Sequence, residues 1–450
     1  MMATMFLVAL VQQPISPADT TGGRPCTVEI DSVRGKAQQV EVRKGETNVF
    51  AGGGVFAHCR GTGSSLQSDS VAWYAGVGRF DMIGQKSPVH IRDTAITLDA
   101  VTAAYFLHQE RLEAHKNVVA VNRSTGSVLR GPNLTYYRAA KGIRDTMEMY
   151  ASSRPTIEYR ATADSGEPYL IVADRVRFKG NDRMWGGGRV TIDRSDLAAH
   201  GDSMQLDQAV GFGVLVGKPG VEGRGSRPYT LTGIRIELGL HSRDIRLVKA
   251  LGDGVATGSD WRLTADTIHL HLDRKKLQQA LAWGPKDSVH ARAVSTLHTI
   301  QADSLALDLP DEVLTEARAF GRAYSTSKKD STKTAKTDWI AGDSLTARWA
   351  QVPDPGGTPR SKLRRLVARG AARSFTFLDN GRDSTTGPSL DYSRGAVIDI
   401  VLAGDKIDRV TVTGRADGVH LEPRPPADTT KADTTKAARN KATPKRSPGP

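Results

Sequence analysis

The chain has 450 residues, of which 38% are hydrophobic, only 6% are aromatic and 45 are glycines, so a core of Val, Ile, Leu and Ala is available. The net charge is +13, and residues 427–450 supply +4 of it through six Lys/Arg and two Asp. A basic balance permits nucleic acid, an anionic membrane or an acidic ligand. Without a long Lys/Arg helix, a zinc spacing or an aromatic RNA-binding signature, we expect no nucleic-acid partner.

The first 22 residues resemble a secretory signal. The run MMATMFLVALV is apolar but too short to span a bilayer. A basic start and a small-x-small cleavage site are both missing, and the alternative is a frayed apolar terminus. The interpretation as a signal predicts a periplasmic protein.

Two cysteines follow, Cys26 and Cys59, without a Cys-x-x-Cys motif. They lie about one repeat apart, so a stacked architecture would place them in neighbouring layers. We therefore predict a disulfide, which the periplasm permits. The alternative is two unrelated buried thiols.

An eight-residue pattern recurs along the chain: apolar, any, any, Asp, Ser/Thr, apolar, any, apolar. Clear copies are LQSDSVAW, LTADTIHL and IQADSLAL. Two copies are degenerate, with Pro132 and Ile234 at the Asp position. Successive copies are 28 to 42 residues apart, which is typical of a repeat architecture. The nine repeat positions are Asp69, Asp99, Pro132, Asp174, Asp202, Ile234, Asp266, Asp303 and Asp343.

Apolar residues two apart after each Asp predict strands with one buried face. The Asp-Ser/Thr pair is typical of strand entry, where short polar side chains bind nearby backbone amides. A second element reads Ala-x-Gly, as in Ala250-Leu251-Gly252 and Ala319-Phe320-Gly321. The glycine runs 52–54 and 186–188 predict bulges or bends. Together these features predict an all-β chain of about 36 short strands.

Two segments fall outside the repeat. Residues 325–337, rich in Ser, Thr and Lys, predict a mobile insertion, and residues 423–450 predict a disordered basic tail. The repetitive domain would therefore span 23–422.

Strands that begin Asp-Ser/Thr and return through Ala-x-Gly resemble the OstA-like (LptA-like) family of lipopolysaccharide transport, over about Val40 to Leu421. The resemblance implies an elongated β-jellyroll, with two facing antiparallel sheets stacked as a repeat slab. It also implies that lipopolysaccharide or another acyl lipid is carried between the sheets, and that other OstA-like components join end to end by strand addition. The repeat count exceeds that of a single bridge protein of the family.

The face pattern predicts which side chains would line such a lipid groove. Residues two and four positions after each Asp should point between the sheets, whereas Arg177, Gln205, His269 and Thr346 should face water. The predicted groove-lining residues are Val71, Trp73, Val101, Val176, Phe178, Met204, Leu206, Ile268, Leu270, Leu305 and Leu307.

Nothing in the sequence demands catalysis, so we expect neither an enzyme nor a cofactor or metal. The segment His269–Asp273 could supply zinc ligands, but alternation explains it as the polar face of a strand. The repeat aspartates lack the nine-residue spacing of calcium-binding β-helices. Two alternatives stay open. One is a structural or adhesive surface solenoid with a closed interior. The other is a polysaccharide-active solenoid enzyme, which should display Asp, Lys and Arg on one outer face.

Overall fold

The computed structural model describes residues 26–60, 62–160, 166–241, 244–284, 290–328, 337–354, 357–378, 388–404 and 406–422. The signal-like segment 1–22 and the basic tail 423–450 lie outside these residues. So does 329–336, the middle of the predicted insertion.

The described residues form 32 strands and three short 3-10 turns, which confirms the all-β prediction. No helix in the described part of the chain is long and apolar enough to cross a membrane.

The 3-10 turns are Ala75–Val77, Leu107–Gln109 and Pro310–Glu312. The first 23 strands are β1 Val28–Val33, β2 Ala37–Arg43, β3 Glu46–Cys59, β4 Ser64–Tyr74, β5 Arg79–Ile83, β6 Val89–Arg92, β7 Ile96–Ala100, β8 Thr102–Phe106, β9 Arg111–Asn122, β10 Val128–Tyr137, β11 Glu148–Ser152, β12 Thr156–Tyr159, β13 Tyr169–Val172, β14 Arg175–Lys179, β15 Arg183–Arg194, β16 Leu197–Asp207, β17 Phe212–Val216, β18 Gly220–Gly223, β19 Tyr229–Thr232, β20 Arg235–His241, β21 Asp244–Thr257, β22 Arg262–Asp273 and β23 Lys276–Trp283. The remaining strands are β24 Ala291–Val294, β25 His298–Ala302, β26 Ser304–Asp308, β27 Glu316–Lys328, β28 Thr337–Asp354, β29 Gly357–Leu378, β30 Ser389–Ala403, β31 Lys406–Thr413 and β32 Asp417–Leu421.

The chain divides into two compact units. Unit 1 holds the described residues up to Ala291 together with Ala306–Val313. Unit 2 holds Arg292–Leu305 and the described residues from Leu314 onward. The sequence predicted one repetitive domain over 23–422 and gave no sign of this division.

Long strands bend and take part in two layers. The first part of β4, Ser64–Ser68, pairs with one set of strands, whereas its second part, Ser70–Tyr74, pairs with another. We define two layers. Layer A consists of the strand segments that follow each repeat position, together with the strands paired to them. Layer B consists of the strand segments that precede each repeat position, together with the strands paired to those. Ladders shift register at the bend, as between Gly187 and Val190. The strand pairings named in this section are antiparallel. The same shift recurs in unit 2 between β27 and β28.

The repeat Asp lies at or next to this bend. Asp174 and Asp303 directly precede β14 and β26, in agreement with the strand-entry prediction, whereas other copies lie inside a strand. Asp202 and Asp343, for example, lie inside β16 and β28. At three copies the Asp backbone N–H donates to the carbonyl of a glycine that the next strand supplies. These pairs are Asp174–Gly188 at 2.8 Å, Asp202–Gly217 at 3.1 Å and Asp303–Gly321 at 2.9 Å. The bend needs both groups because the strands on either side belong to different layers.

The glycine whose carbonyl accepts the Asp N–H has a specific role at the bend; it ends Ala-x-Gly at Gly321 but follows Leu215-Val216 at Gly217. Gly217 and Gly321 have positive φ, where a side chain is strained. A Cβ on Gly217 would also lie only 2.4 Å from Oδ2 of Asp202. The degenerate copy keeps the geometry without the Asp, since the Ile234 N–H donates to the Gly252 carbonyl at 2.9 Å. The pattern Asp…Gly is therefore a bend motif joining two neighbouring strands.

The ends of the predicted insertion 325–337 belong to strands. β27 continues to Lys328 and β28 begins at Thr337. Only residues 329–336 remain as the predicted insertion, outside the described residues.

Candidate functional site: the space between the layers

The structure places seven of the eleven predicted groove residues in the core. They are Val71, Val176, Met204, Ile268, Leu270, Leu305 and Leu307, none more than 6% exposed. Trp73, Val101, Phe178 and Leu206 are half-buried. Of the four residues predicted to face water, Gln205 is exposed, and Arg177, His269 and Thr346 are intermediate.

The half-buried residues differ in their surroundings. Val101 lies at the bend between β7 and β8, and the buried inward position there is Ala103, 4% exposed. Trp73 packs against Phe80, with ring centroids 6.2 Å apart. Period-two counting places a residue on the correct side of a strand, but it does not locate the bends where a side chain leaves the core.

The inward faces pack large residues against small ones. Ile268 pairs with Ala250 on one side and with Ala282 on the other, and all three are fully buried. Gly186 lies between Val176 and Met204 in the same way, and a Cβ there would come within 2.9 Å of Met204. Alternating volumes let two apolar faces approach closely.

In unit 1 the two layers face each other across a packed interior. One cavity of about 40 Å³ is lined by Met82 and Tyr105 of layer A and by Leu66 and Ile91 of layer B. A second, of about 30 Å³, lies beside Phe178. Spaces of this size hold about one or two water molecules and no acyl chain. An acyl chain would fit at these two places only if the layers separate.

Opposite the bends, polar side chains connect the two layers. We call this side of unit 1 the mouth. Each of the following contacts joins a layer A residue to a layer B residue. The mouth contacts are Tyr136–Asp93 at 2.8 Å, Asn181–Asn122 at 2.9 Å, Gln208–Tyr159 at 2.7 Å and Glu312–Ser226 at 2.6 Å. The mouth is therefore closed by side chains, whereas the bends are held by continuous strands.

A buried ionic cluster lies at the N-terminal end of the mouth. The Glu110 carboxylate, whose side chain is fully buried, accepts hydrogen bonds from Nε of Arg138 at 2.9 Å and from the Cys26 backbone N–H at 2.5 Å. It also accepts one from the Tyr105 hydroxyl. Burial, reinforced by this carboxylate, raises the pKa of Tyr105. Glu110 and Arg138 match no repeat position, so the repeat pattern does not predict this cluster.

Cys26 and Cys59 form a disulfide with Cα atoms 5.0 Å apart. It attaches the chain just before β1 to the end of β3. Replacing both cysteines by serine is expected to lower the free energy of unfolding by about 3 kcal/mol, because the bond closes a loop of 33 residues in the unfolded chain. Urea denaturation of oxidised wild-type and variant protein measures this. A difference below about 0.5 kcal/mol would contradict a stabilising role.

The histidine pair predicted to lie on a polar strand face lies on the outer side of layer A. The His269 ring packs edge-on against Trp283 at 4.7 Å, and His271 follows at 6.4 Å. Burial, and to a lesser extent Lys249 and His271, lower the pKa of His269. No group of three or more potential metal ligands occurs among the described residues.

In comparisons with known proteins, no family model matches the chain, and no curated protein is significantly similar to it.

Proposed function

We propose that this chain is a non-catalytic periplasmic carrier of acyl lipid, built as an OstA-like β-jellyroll, whose cargo lies between layers A and B. The observation that supports it best is that the two long sides of the space between the layers are held together differently. Two apolar inner faces meet along unit 1, and among the described residues every contact named across the mouth involves at least one side chain. Lipopolysaccharide is the cargo that the family resemblance favours.

Separation of the layers at the mouth breaks side-chain contacts and leaves the strand ladders intact. The neutral contacts, Asn181–Asn122 and Gln208–Tyr159, contribute about 0.5–1.5 kcal/mol each, and the contacts to the Asp93 and Glu312 carboxylates about 1.5–3 kcal/mol each; water replaces them when the mouth opens. The bends do not need to break, because their glycines tolerate changes in φ. Acyl chains would then replace the contacts that the inner faces lose with each other.

End-to-end association would use the terminal strands. β1 and β2 each pair only with β3 among the described strands, and β31 and β32 each pair only with β30. All seven residues of β2 are exposed. Such edges offer free backbone groups to a strand of a partner.

Locking the mouth tests the proposal. Asn122 and Asn181 lie on opposite layers and their side chains are in contact; Asn181 is exposed and Asn122 is half-buried. The variant Asn122→Cys/Asn181→Cys, joined by a short bismaleimide, is expected to lose at least 90% of the uptake of purified lipopolysaccharide measured by native mass spectrometry. The same variant capped with N-ethylmaleimide should keep its uptake.

A matched control separates locking from chemical labelling. Ser65 and Arg92 are cross-strand neighbours within layer B. Their bismaleimide-linked double cysteine variant should take up lipid normally. Equal uptake by locked and capped protein would contradict entry through the mouth. Absence of uptake by every form, wild type included, would favour a structural solenoid with a closed interior.

A further inference from the structure

The outer face of layer A in unit 1 carries a cleft of about 710 Å³, lined mainly by outward side chains and also by Val176 and Met204 of the predicted lipid groove. It crosses β10, β11, β14–β17 and β20. Its floor is one row of cross-strand neighbours, in which the small residues Ser152, Gly187 and Ser203 flank Arg175. Ser152 lies on one side of Arg175, and Gly187 followed by Ser203 lies on the other. Gly187 leaves this part of the floor open, since a Cβ there would come within 3.1 Å of Nε of Arg175.

Two aromatic rings and an arginine form the neighbouring row. Tyr150, Arg177 and Trp185 are successive cross-strand partners, and the Arg177 guanidinium lies 5.3 Å from the centroid of each ring. Glu148 binds Nη2 of Arg177 at 3.2 Å, but the buried Nε has no hydrogen-bond partner. A buried donor without a partner is uncommon in a folded protein and is a candidate contact for a ligand.

The cleft is positively charged. Among the described residues that line it are Arg175, Arg177 and Arg235, and no Asp or Glu. Glu148 balances the charge of Arg177 and Glu237 balances that of Arg235 through ion pairs, although neither glutamate lines the cleft. Arg175 is exposed and forms no side-chain hydrogen bond or ion pair with the described residues. One full positive charge is thus available above a floor of hydroxyl groups.

We propose that this cleft binds an acidic oligosaccharide. Arginine recognises carboxylates and phosphates through paired N–H groups, whereas aromatic faces pack on the C–H faces of sugar rings. Ser152 and Ser203 supply hydroxyls that exchange hydrogen bonds with sugar hydroxyls. The volume lies within the range of small-molecule sites, and the open shape admits a chain. The proposal rests on the outward side chains of these strands, whereas lipid carriage uses their inward side chains.

Calorimetry on the full chain tests it with tetragalacturonic acid as the probe and maltotetraose as its neutral counterpart. We expect saturable binding of the acidic sugar alone. Arg175→Gln should weaken it by about tenfold or more, which corresponds to the loss of a hydrogen bond to a charged group. Trp185→Leu should weaken it comparably and leave the circular dichroism spectrum unchanged. Arg92→Gln, which removes an exposed layer B arginine, should bind like the wild type.

Three results would overturn the proposal. The first is no saturable binding of tetragalacturonic acid by folded wild-type protein. The second is equal affinity of Arg175→Gln and wild type, which would place the sugar elsewhere. The third is displacement of the sugar by a twelve-residue oligothymidylate that binds more tightly, since single-stranded nucleic acid also uses arginine and aromatic faces. None of these results affects lipid uptake through the mouth.

Discussion

Replacing Arg138 by methionine is expected to lower the free energy of unfolding by about 3–5 kcal/mol. The change leaves the fully buried Glu110 carboxylate without its cationic partner, although the Cys26 N–H and the Tyr105 hydroxyl remain. An uncompensated buried charge is far more costly than the loss of an exposed one. Urea denaturation monitored by circular dichroism measures the difference.

Two controls define the cause. The double variant Glu110→Gln/Arg138→Met removes both charges and should recover most of the lost stability. Arg189→Met breaks an exposed pair with Asp174, in which the arginine side chain is 73% exposed, and should cost less than about 1 kcal/mol. If Arg138→Met were no more damaging than Arg189→Met, the buried cluster would not stabilise the fold.

Leu270→Asp is the second substitution with a large expected effect. Leu270 is fully buried between Val248 and Ala280. A carboxylate there loses its hydration without gaining a partner, so we expect a loss of at least about 4 kcal/mol or failure to fold. Thermal unfolding, or the yield of soluble protein, measures the effect.

Arg262→Asp is the matched control in the same strand. Arg262 is exposed, so the substitution should change stability by less than about 0.5 kcal/mol. Comparable damage from both changes would mean that the inward and outward sides of β22 have been assigned incorrectly.

The strands and the inward sides of most of them could be predicted because the signal is local. Ile268 and Leu270 alternate with His269 over a few residues, and that period is the period of a strand. The nine copies then extend the local pattern along the chain. The degenerate copy at Ile234 is recognised by the same alternation of apolar residues. In the structure its backbone N–H still donates to the Gly252 carbonyl.

The mouth and the buried cluster could not be predicted, because their partners are distant in sequence. Tyr136 and Asp93 are 43 residues apart, and Ser226 and Glu312 are 86 apart. Such pairs depend on how the layers close, and no short pattern encodes them. The outer cleft was missed for a similar reason, since Tyr150, Arg177 and Trp185 become neighbours only through strand pairing.

Crosslinking from within the layers tests lipid carriage most directly. A photoreactive amino acid at Phe178 or Leu206, half-buried inward positions, should capture lipopolysaccharide in cells. The same group at Lys179, the exposed neighbour of Phe178, or at His269 on the outer face should not. Capture confined to Phe178 and Leu206 is the predicted result. Equal capture from inward and outward positions, or capture from none, would contradict a lipid path between the layers.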